Sequence, residues 1–264
     1  MNKKKRIAVI GGDLRQVGMA EQIAFDGNYV KSFGLVDENK TMDGIISCNT
    51  LQEAIADVDI ILLPLPATKN DVFINTPNVD MEVEIQELFQ AMIKNQIVLG
   101  GKFEEQIIKM AEAYSIHLID YFDREELNVL NAIPTAEGIL QIALEEMPVT
   151  LHSSNCLVIG FGRVGKLTAN LFHGIGANIS VCARKHSDIA WIKGYGYQPI
   201  YAEHLNEELS RFDLIINTVP HLILGEESLL IVKDDCLIID IASKPGGADR
   251  KIGKGEGDRR HFVA

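Results

Sequence analysis

A short glycine-rich segment in the second half of the chain most constrains how the chain can fold. The segment 160–165 reads Gly-Phe-Gly-Arg-Val-Gly, follows the apolar run 156–159 and precedes a stretch with apolar residues every three or four positions. This order predicts a strand, a tight turn and a helix, and a second strand is predicted at 178–183. Such a turn suits the pyrophosphate of a dinucleotide, because glycines allow close approach and helix N–H groups face the phosphates. The alternative is a glycine-rich turn that binds nothing.

The predicted cofactor contacts lie in this turn and at the ends of the strands that follow it. Arg184 and Lys185 come at the end of the second strand, where an NAD site usually carries an acidic residue. We therefore expect NADP, with NAD as the alternative, although the two cations could also be exposed residues without a ligand. The predicted contacts are Gly160, Phe161, Gly162, Arg163, Val164, Gly165, Arg184, Lys185, Ser187, Thr218, Val219, Pro220, Ala242 and Ser243.

Composition restricts the class of protein. The 264 residues are 47% hydrophobic and 23% charged, which is ordinary for a globular chain of two domains. The net charge of −12 argues against nonspecific nucleic-acid binding. No run reaches the roughly 18 apolar residues of a membrane span, so no membrane segment is expected. The four cysteines have no CxxC spacing, so we expect buried free thiols in a reducing cytoplasm and no metal site.

Apolar strands alternate with helical patterns along the whole chain. This predicts an α/β fold of two domains, each a mainly parallel sheet with flanking helices, the second a Rossmann dinucleotide-binding fold. The expected divisions are an N-terminal substrate domain at 1–130, a helical linker at 131–150 and the nucleotide domain at 151–264. The polar, basic tail from Asp249 has too little apolar periodicity for a sixth strand or a closing helix.

The first strand, 6–10, also runs into a glycine turn, but this turn is not a dinucleotide motif. Asp13 stands where a phosphate needs N–H donors, and a carboxylate there would repel it. Arg15 and Gln16 offer a guanidinium and an amide at a helix N-terminus, which suits a small molecule that bears a carboxylate. Equally well, Asp13 is only a helix cap and Arg15 a solvated side chain.

Three further residues are candidates for a substrate site. Thr68 follows a proline-rich segment at the end of a strand, although that segment could be a plain connector. The helical stretch 127–147 is expected to form one helix, or two broken at Pro134. Thr135 and Glu137 would then lie on the first turn of a new helix. Glu137 either caps free N–H groups there or serves as an acid/base or substrate-binding carboxylate.

Taken together, these stretches resemble the family of dipicolinate synthase A subunits from spore-forming bacteria. The five matching stretches are 10–16 (Ile-Gly-Gly-Asp-Leu-Arg-Gln), 131–138 (Asn-Ala-Ile-Pro-Thr-Ala-Glu-Gly), 160–165, 216–220 (Ile-Asn-Thr-Val-Pro) and 240–247 (Asp-Ile-Ala-Ser-Lys-Pro-Gly-Gly). The stretches 10–16 and 131–138 together are far more specific to this family than the nucleotide motifs.

The resemblance implies an oxidoreductase that oxidises a dihydrodipicolinate-type intermediate of the lysine/diaminopimelate pathway to dipicolinate. It also implies a nicotinamide cofactor, a flavoprotein-like B subunit, an oligomeric assembly and the mother-cell cytoplasm during sporulation. From chemistry and motif position, Glu137 is the expected proton-handling residue and Arg15 the carboxylate binder. The expected substrate-binding residues are Asp13, Arg15, Gln16, Thr68 and Thr135.

One departure and two alternatives accompany this resemblance. Family members continue past the Pro-Gly-Gly stretch with a strand, a loop and a final helix, whereas 254–264 here differ, so we expect one edge of the nucleotide domain to be uncovered. The first alternative is another two-domain NAD(P)-dependent dehydrogenase of a small hydroxy or dicarboxylic acid, although its usual His/Glu or Lys/Asp set is not evident. The second is a non-catalytic, NADP-binding regulatory subunit.

Overall fold

A computed structural model describes residues 4–35, 42–242 and 247, and the backbone of residues 261–263. The chain divides into two compact units, residues 1–127 and 128–264. Each unit contains one six-stranded sheet in which every neighbouring pair of strands is parallel. Helices flank both sheets, which confirms the predicted α/β class with two mainly parallel sheets.

The first unit alternates strands and helices, and its sheet has the order β3-β2-β1-β4-β7-β8. Its strands are β1 (Arg6–Ile10), β2 (Tyr29–Phe33), β3 (Ile45–Ser47), β4 (Ile60–Leu62), β5 (Thr68–Lys69), β6 (Phe73–Ile74), β7 (Ile97–Gly100) and β8 (His117–Asp120). Its helices are α1 (Leu14–Phe25), α2 (Leu51–Ile55), α3 (Ile85–Ala91) and α4 (Glu105–Ala113), and a 3-10 turn follows β8 at Tyr121–Asp123.

The second unit has the corresponding order, β11-β10-β9-β12-β13-β14, after the long helix α5 (Glu125–Glu146) that begins in the first unit. Its strands are β9 (Asn155–Ile159), β10 (Asn178–Ala183), β11 (Gln198–Tyr201), β12 (Leu214–Asn217), β13 (Leu237–Asp240) and β14 (His261–Val263). Its helices are α6 (Arg163–Ile175), α7 (His186–Gly194), α8 (Leu205–Glu208) and α9 (Glu226–Ile231), with 3-10 turns at Ala202–His204 and Leu209–Arg211.

In both sheets the strand order reverses beside the first strand of the unit. The reversal lies between β1 and β4 in the first unit and between β9 and β12 in the second. Open parallel sheets bind ligands at such a point, in the crevice outside the carboxyl ends of the strands. The two glycine turns follow β1 and β9, so each stands at the ligand-binding end of its own sheet.

The central strands read as continuous apolar runs because both of their faces are covered. In β1 and in β9, the four residues after the first are all buried. Parallel sheets covered on two sides favour such runs over an alternating pattern. The amphipathic helices then contribute one face each, as α6 does with Ala169 and Phe172, which are fully buried against β9 and β10.

All four cysteines are free and buried, which confirms the expectation of buried thiols. Burial raises the pKa of Cys156 to about 11 and that of Cys236 to about 12. Both thiols are therefore protonated at neutral pH and pack as small apolar side chains.

The expectation of a new helix at Pro134 is wrong, because α5 continues through this residue. Ala132, Ala136 and Ile139 lie on one buried face of α5 at spacings of four and three, so core packing holds the helix on both sides of the proline. Pro134 itself is exposed, so its ring lies outside the packed core. Glu137 is thus a mid-helix residue and cannot cap a helix start.

By length and composition alone, α5 could cross a membrane, and it is the single such helix in the described part of the chain. It has 22 residues, and its most apolar 18-residue window has a mean hydropathy of 1.2 and is 22% buried. A helix that contributes to the core of a soluble protein meets the same test, and Ile139 and Ala143 of α5 do belong to the core of the second unit. The property is therefore weak evidence for a membrane span.

The expectation that the tail cannot supply a sixth strand is also wrong. Strand β14 pairs in parallel with β13, with Leu237 opposite His261 and Ile239 opposite Val263. Three residues are too short for a periodic pattern to be visible in the sequence. They can still form a strand because β13 offers them a complete ladder of backbone partners.

The proline-rich stretch after β4 is more than a connector. It leads into the antiparallel hairpin of β5 and β6, in which Thr68 pairs with Ile74. The hairpin folds back over the first glycine turn, because the Gly12 N–H donates to the Asn75 carbonyl at 2.8 Å. A polar segment at the end of β4 therefore helps to cover the carboxyl edge of the first sheet.

Candidate functional site

The glycine turn after β9 needs glycine at its first and third glycine positions. Gly160 has a φ of +100°, and a Cβ atom there would lie 2.5 Å from Thr218 Oγ1. A Cβ atom on Gly165 would lie 2.2 Å from the carbonyl oxygen of Gly160. Side chains at these positions are therefore excluded by the backbone and by the neighbouring loop, which keeps α6 close to β9.

The middle glycine leaves the N-terminus of α6 open. Gly162 is the N-cap, no side chain hydrogen-bonds to the cap position, and a Cβ atom there would meet nothing within 4 Å. The first N–H groups of α6 therefore face a free space at the positive end of a 13-residue helix. This arrangement fits the pyrophosphate of a dinucleotide, with no acidic side chain in the first turn of α6 to oppose it.

The three side chains between the glycines differ in their exposure to solvent. Phe161 is buried, with its ring 6.2 Å from that of Tyr195 and the Lys166 ammonium 5.2 Å from its own ring centroid. Arg163 is exposed and Val164 is half-buried on the first turn of α6. These positions can offer a dinucleotide their backbone N–H groups, and Arg163 can also offer a cation.

The end of β10 carries exposed cations. Arg184 follows the last residue of β10, Lys185 is the N-cap of α7, and Ser187 lies on the first turn of α7. All three side chains are exposed. In a dinucleotide-binding unit this strand end faces the ribose of the adenosine half.

The loop after β12 lies against the glycine turn. The Thr218 hydroxyl donates to the Ile159 carbonyl at 2.9 Å, and Val219 Cγ2 is 2.8 Å from the Cβ position of Gly160. Thr218 and Val219 are half-buried and Pro220 is exposed. Ala242 is half-buried just after β13, whereas the predicted contact Ser243 lies outside the described residues.

The turn after β1 is filled by its own side chains. The Asp13 carboxylate caps α1 by accepting the N–H of Arg15 at 2.9 Å, and Gln16 Oε1 accepts the Asp13 N–H at 3.0 Å. Asp13 and Gln16 also form a capping box, in which each side chain accepts the backbone N–H of the other residue. The cap that the sequence left as one of two alternatives for Asp13 is therefore present, and this helix start has no room for a phosphate.

The Arg15 side chain is exposed to solvent, but hydrogen bonds orient its guanidinium. Its Nε and Nη2 donate to the Asp13 carboxylate at 2.8–3.1 Å, and Nη2 also donates to the Leu65 carbonyl at 2.9 Å. The hydrogen bond from Arg15 lowers the pKa of Asp13. Nη1 forms no hydrogen bond within the described part of the chain, so two donors of a fixed guanidinium remain available for a ligand.

Tyr121 lies beside Asp13, Arg15 and Gln16, although it was not among the residues predicted from the sequence. Its hydroxyl donates to the Leu63 carbonyl at 3.1 Å, and the Gln16 side chain hydrogen-bonds to the phenol. Burial raises the pKa of Tyr121 to about 12, so the phenol stays protonated at neutral pH. The available clue was its position directly after β8, at the carboxyl edge of the sheet.

The remaining predicted substrate residues are dispersed. Thr68 is buried in β5, in the first unit. Thr135 and Glu137 lie on α5 within the second unit, where the Thr135 hydroxyl donates to the Asn131 carbonyl at 3.2 Å and Glu137 is exposed. Neither unit by itself therefore holds the whole predicted substrate set, and their roles stay predictions.

No group of three His, Cys, Asp or Glu side chains within the described ranges is arranged to hold a metal ion.

Each of the two units matches a domain of a known protein family. Residues 6–122 match the N-terminal domain of the dipicolinate synthase A subunit. Residues 135–244 match the NAD binding domain of D-isomer specific 2-hydroxyacid dehydrogenases. The second match agrees with the open glycine turn, so the second unit is a Rossmann domain for a nicotinamide dinucleotide.

Relatives and solved structures extend the match to the full chain. The dipicolinate synthase A subunit of Bacillus subtilis (strain 168) is 31% identical over 255 residues, 96% of this chain and 85% of the relative. The crystal structure of the corresponding Bacillus subtilis protein has a TM-score of 0.87 at 29% identity, covering 100% of this chain and 88% of that one. The crystal structure of the Bacillus halodurans A subunit gives 0.87 at 26% identity, covering 98% and 89%.

Proposed function

The chain belongs to the family of dipicolinate synthase A subunits, and on this premise we propose that it oxidises a dihydrodipicolinate-type intermediate to dipicolinate with NADP. The open N-terminus of α6, between Gly160 and Gly165, carries the cofactor part of the proposal. The fixed guanidinium of Arg15 at the carboxyl edge of the other sheet supports a substrate with carboxylates. The product is an aromatic pyridine, so aromatisation favours the reaction.

Arg15 is proposed to bind one substrate carboxylate through Nη1. Its other donors are engaged by Asp13 and by Leu65, which come from two different loops, so the guanidinium is oriented before substrate arrives. A pre-oriented cation loses less entropy on binding than a mobile one. Asp13 orients Arg15, and Gln16, Thr68 and Thr135 remain proposed polar contacts of the substrate.

The oxidation removes one hydride and one proton from the substrate ring. When bound, the nicotinamide accepts the hydride at its C4 atom. Glu137 is proposed to take the proton, which leaves a pyridine ring and a protonated carboxyl group. Glu137 is exposed, so its carboxylate is accessible to a substrate, and a positioned glutamate is a common general base.

The choice of NADP over NAD rests on Arg184 and Lys185. Both cations are exposed at the end of β10, where an NAD-selective site carries an acidic residue. The guanidinium of Arg184 can pair with a 2′-phosphate, and Ser187 can add a hydrogen bond. We further propose that the chain acts in an oligomer with a flavoprotein-like B subunit, in the mother-cell cytoplasm of a sporulating bacterium.

The proposal is tested by supplying the cyclic intermediate with NADP⁺ or NAD⁺ to the chain alone and with its partner protein, and by measuring the pyridine dicarboxylate by its ultraviolet absorption. Glu137→Gln should reduce kcat about 100-fold or more, as expected for loss of a general base, while dinucleotide binding stays unchanged. Glu145→Gln, two turns further along α5, is the matched control and should retain full turnover.

Two other outcomes would point to different functions. A chain that binds dinucleotide but produces no dipicolinate, alone or with its partner, would be a regulatory subunit. Oxidation of another small hydroxy or dicarboxylic acid in preference would support a different dehydrogenase, which the match of residues 135–244 to 2-hydroxyacid dehydrogenases favours as second candidate. Unchanged turnover in Glu137→Gln would exclude Glu137 as the base.

A further inference from the structure

We propose that a buried Asn217–Asp240 pair is a positioning device for the nicotinamide side of the cofactor crevice. Asn217 ends β12 and Asp240 ends β13, so both stand at the carboxyl edge of the second sheet. Their exposed fractions are 0% and 2%. The inference rests on the proposed function only in that the second unit binds a dinucleotide, and it does not depend on the substrate.

The pair connects two loops through backbone groups. Asn217 Nδ2 donates to Asp240 Oδ1 at 2.9 Å and to the Val219 carbonyl at 3.0 Å, while Asn217 Oδ1 accepts the Val219 N–H at 3.2 Å. Asp240 in turn accepts the N–H groups of Ala242 at 3.2 Å and Gly247 at 2.9 Å. One amide and one carboxylate therefore fix the chain directly after both strands.

Gly247 closes this network on its far side. Its carbonyl accepts the N–H groups of Ile223 at 2.9 Å and Leu224 at 3.0 Å, so it joins the end of the β12 loop to the segment after β13. A Cβ atom on Gly247 would lie 1.9 Å from Asn217 Nδ2. Because a side chain would displace the amide, glycine is required here for close packing rather than for flexibility.

The fixed loop forms a wall of the cofactor crevice. Thr218 and Val219 lie against the first glycine of the turn, with Thr218 Oγ1 2.5 Å and Val219 Cγ2 2.8 Å from the Cβ position of Gly160. In the sheet, β10 and β12 lie on opposite sides of β9. A dinucleotide extends across the strand ends on both sides of the turn, so with the adenosine at the end of β10 we infer that the β12 loop faces the nicotinamide half. A displacement of Val219 would therefore alter that half of the site first.

The chemistry of the pair explains why these two residue types are needed. Carboxylate oxygens accept hydrogen bonds, and Asn217, Ala242 and Gly247 all present donors to Asp240. An amide both donates and accepts, and Val219 presents to Asn217 both a carbonyl and an N–H. In the variant Asp240→Asn, the NH₂ group must face one of those donors, so one hydrogen bond of the network is lost. The side chain at position 240 keeps nearly the same size.

The experiment compares the dinucleotide with its adenosine half. Titration calorimetry would measure the binding of NADP and of adenosine 2′,5′-bisphosphate, or of NAD and AMP if the chain prefers NAD. Asp240→Asn should raise the Kd of the dinucleotide about tenfold, whereas that of the adenosine fragment stays within about twofold, as expected for loss of one buried charge-assisted hydrogen bond. A generally loosened domain would weaken both ligands together.

Two further variants keep the test decisive. Ser228→Ala removes a different side-chain hydrogen bond of the second unit, which the buried Ser228 donates to Asn206 at 2.8 Å, and should leave both affinities unchanged. If Asp240→Asn does not fold, Gly247→Ala displaces Asn217 without removing a polar group and should give the same selective loss. Parallel loss of both ligands, no loss in either, or an equal effect of Ser228→Ala would overturn the inference. Failure to make dipicolinate would instead count against the proposed function alone.

Discussion

The glycine turns after β1 and β9 occupy the same place in two sheets of the same strand order, yet only one of them is open to a phosphate. Each turn leads directly from the first strand of its unit into a helix, with Asp13 as the N-cap of α1 and Gly162 as the N-cap of α6. Three residues beyond the cap, the first unit has Gln16 and the second has Gly165. The side chains of Asp13 and Gln16, which have no counterpart at Gly162 and Gly165, account for the difference.

In the first unit the chain itself fills the anion site. The Asp13 carboxylate takes the helix N–H groups, and Gln16 folds back over Gly12, whose Cβ position is 2.5 Å from Gln16 Cγ. In the second unit glycines leave the same N–H groups uncovered. The shared topology therefore places a helix N-terminus that can bind an anion in each unit. In the first unit the side chains of Asp13 and Gln16 occupy it, and in the second it stays available to a ligand.

The largest expected effect comes from closing the second turn. Gly165→Ala should reduce dinucleotide affinity at least about 100-fold, because its Cβ would lie 2.2 Å from the Gly160 carbonyl and would force the turn to move. Gly174→Ala is the matched control in the same helix, since its Cβ would meet nothing within 4 Å. It should bind normally and gain about 0.5–1 kcal/mol of stability. Normal binding by Gly165→Ala would remove close packing from the comparison.

A second variant imports the cap of the first unit into the second. Gly162→Asp should weaken dinucleotide binding about 100-fold, because a carboxylate would stand at the pyrophosphate site. Gly162→Asn caps α6 equally well without the charge and should weaken binding about tenfold at most. Titration calorimetry and thermal unfolding of both variants separate charge from capping. Equal losses would show that occupancy of the site, rather than its charge, distinguishes the two turns.

A third variant concerns the strand ends next to the turns. Gly34 follows β2 where Arg184 follows β10, so the first unit lacks this cation. Arg184→Ala should lower NADP affinity about tenfold and leave NAD affinity within about twofold, as expected for loss of a charge-assisted contact to a 2′-phosphate. Lys193→Ala removes the same charge at the other end of α7 and should change neither affinity. Equal losses for both dinucleotides would contradict selection by Arg184.

The smallest effect is expected in the first turn. The hydrogen bond from Arg15 lowers the pKa of Asp13, so the pair stabilises the fold above the ordinary aspartate pKa and this contribution is lost as pH falls through the lowered value. Asp13→Asn keeps the cap and loses the ion pair, so at pH 7 it should cost at most about 1 kcal/mol.

Urea unfolding at two pH values tests this sign. The difference between wild type and Asp13→Asn should be largest at neutral pH and should shrink as the pH falls through the lowered pKa of Asp13, because a protonated Asp13 no longer pairs with Arg15. Asp26→Asn, which removes a carboxylate from the C-terminal end of α1, is the matched control. A difference that does not change with pH would contradict a contribution from the ion pair of Asp13 with Arg15.

Most strands and the major helices could be predicted because their local pattern is complete. Strands β1 and β10 lie at the residues expected, 6–10 and 178–183, since each is a short, mainly apolar run with a polar first residue. Helix α6 could be placed with its turn, because the glycine spacing and the apolar repeat agree. The α/β class and the parallel sheets follow from the regular alternation of such segments.

The remaining features depend on partners that are distant in sequence. Pro134 is tolerated inside α5 because buried residues on both sides hold the helix. Strand β14 is specified by the backbone of β13 more than by its own three residues. Asn217 and Asp240 are 23 residues apart, and each looks like an ordinary strand end until the two strands lie side by side.

The sequence by itself determined the two-sheet α/β architecture, the dinucleotide turn at Gly160–Gly165 and the family, because these are properties of local pattern and motif. It left the state of Asp13 and Arg15 open between a cap and a ligand site. Tertiary structure decided that Asp13 does cap α1 and that Leu65 holds the guanidinium of Arg15 from another loop. Such contacts form only when strands distant in sequence end at the same edge of a sheet, and the spacing of residues along the chain does not record that proximity.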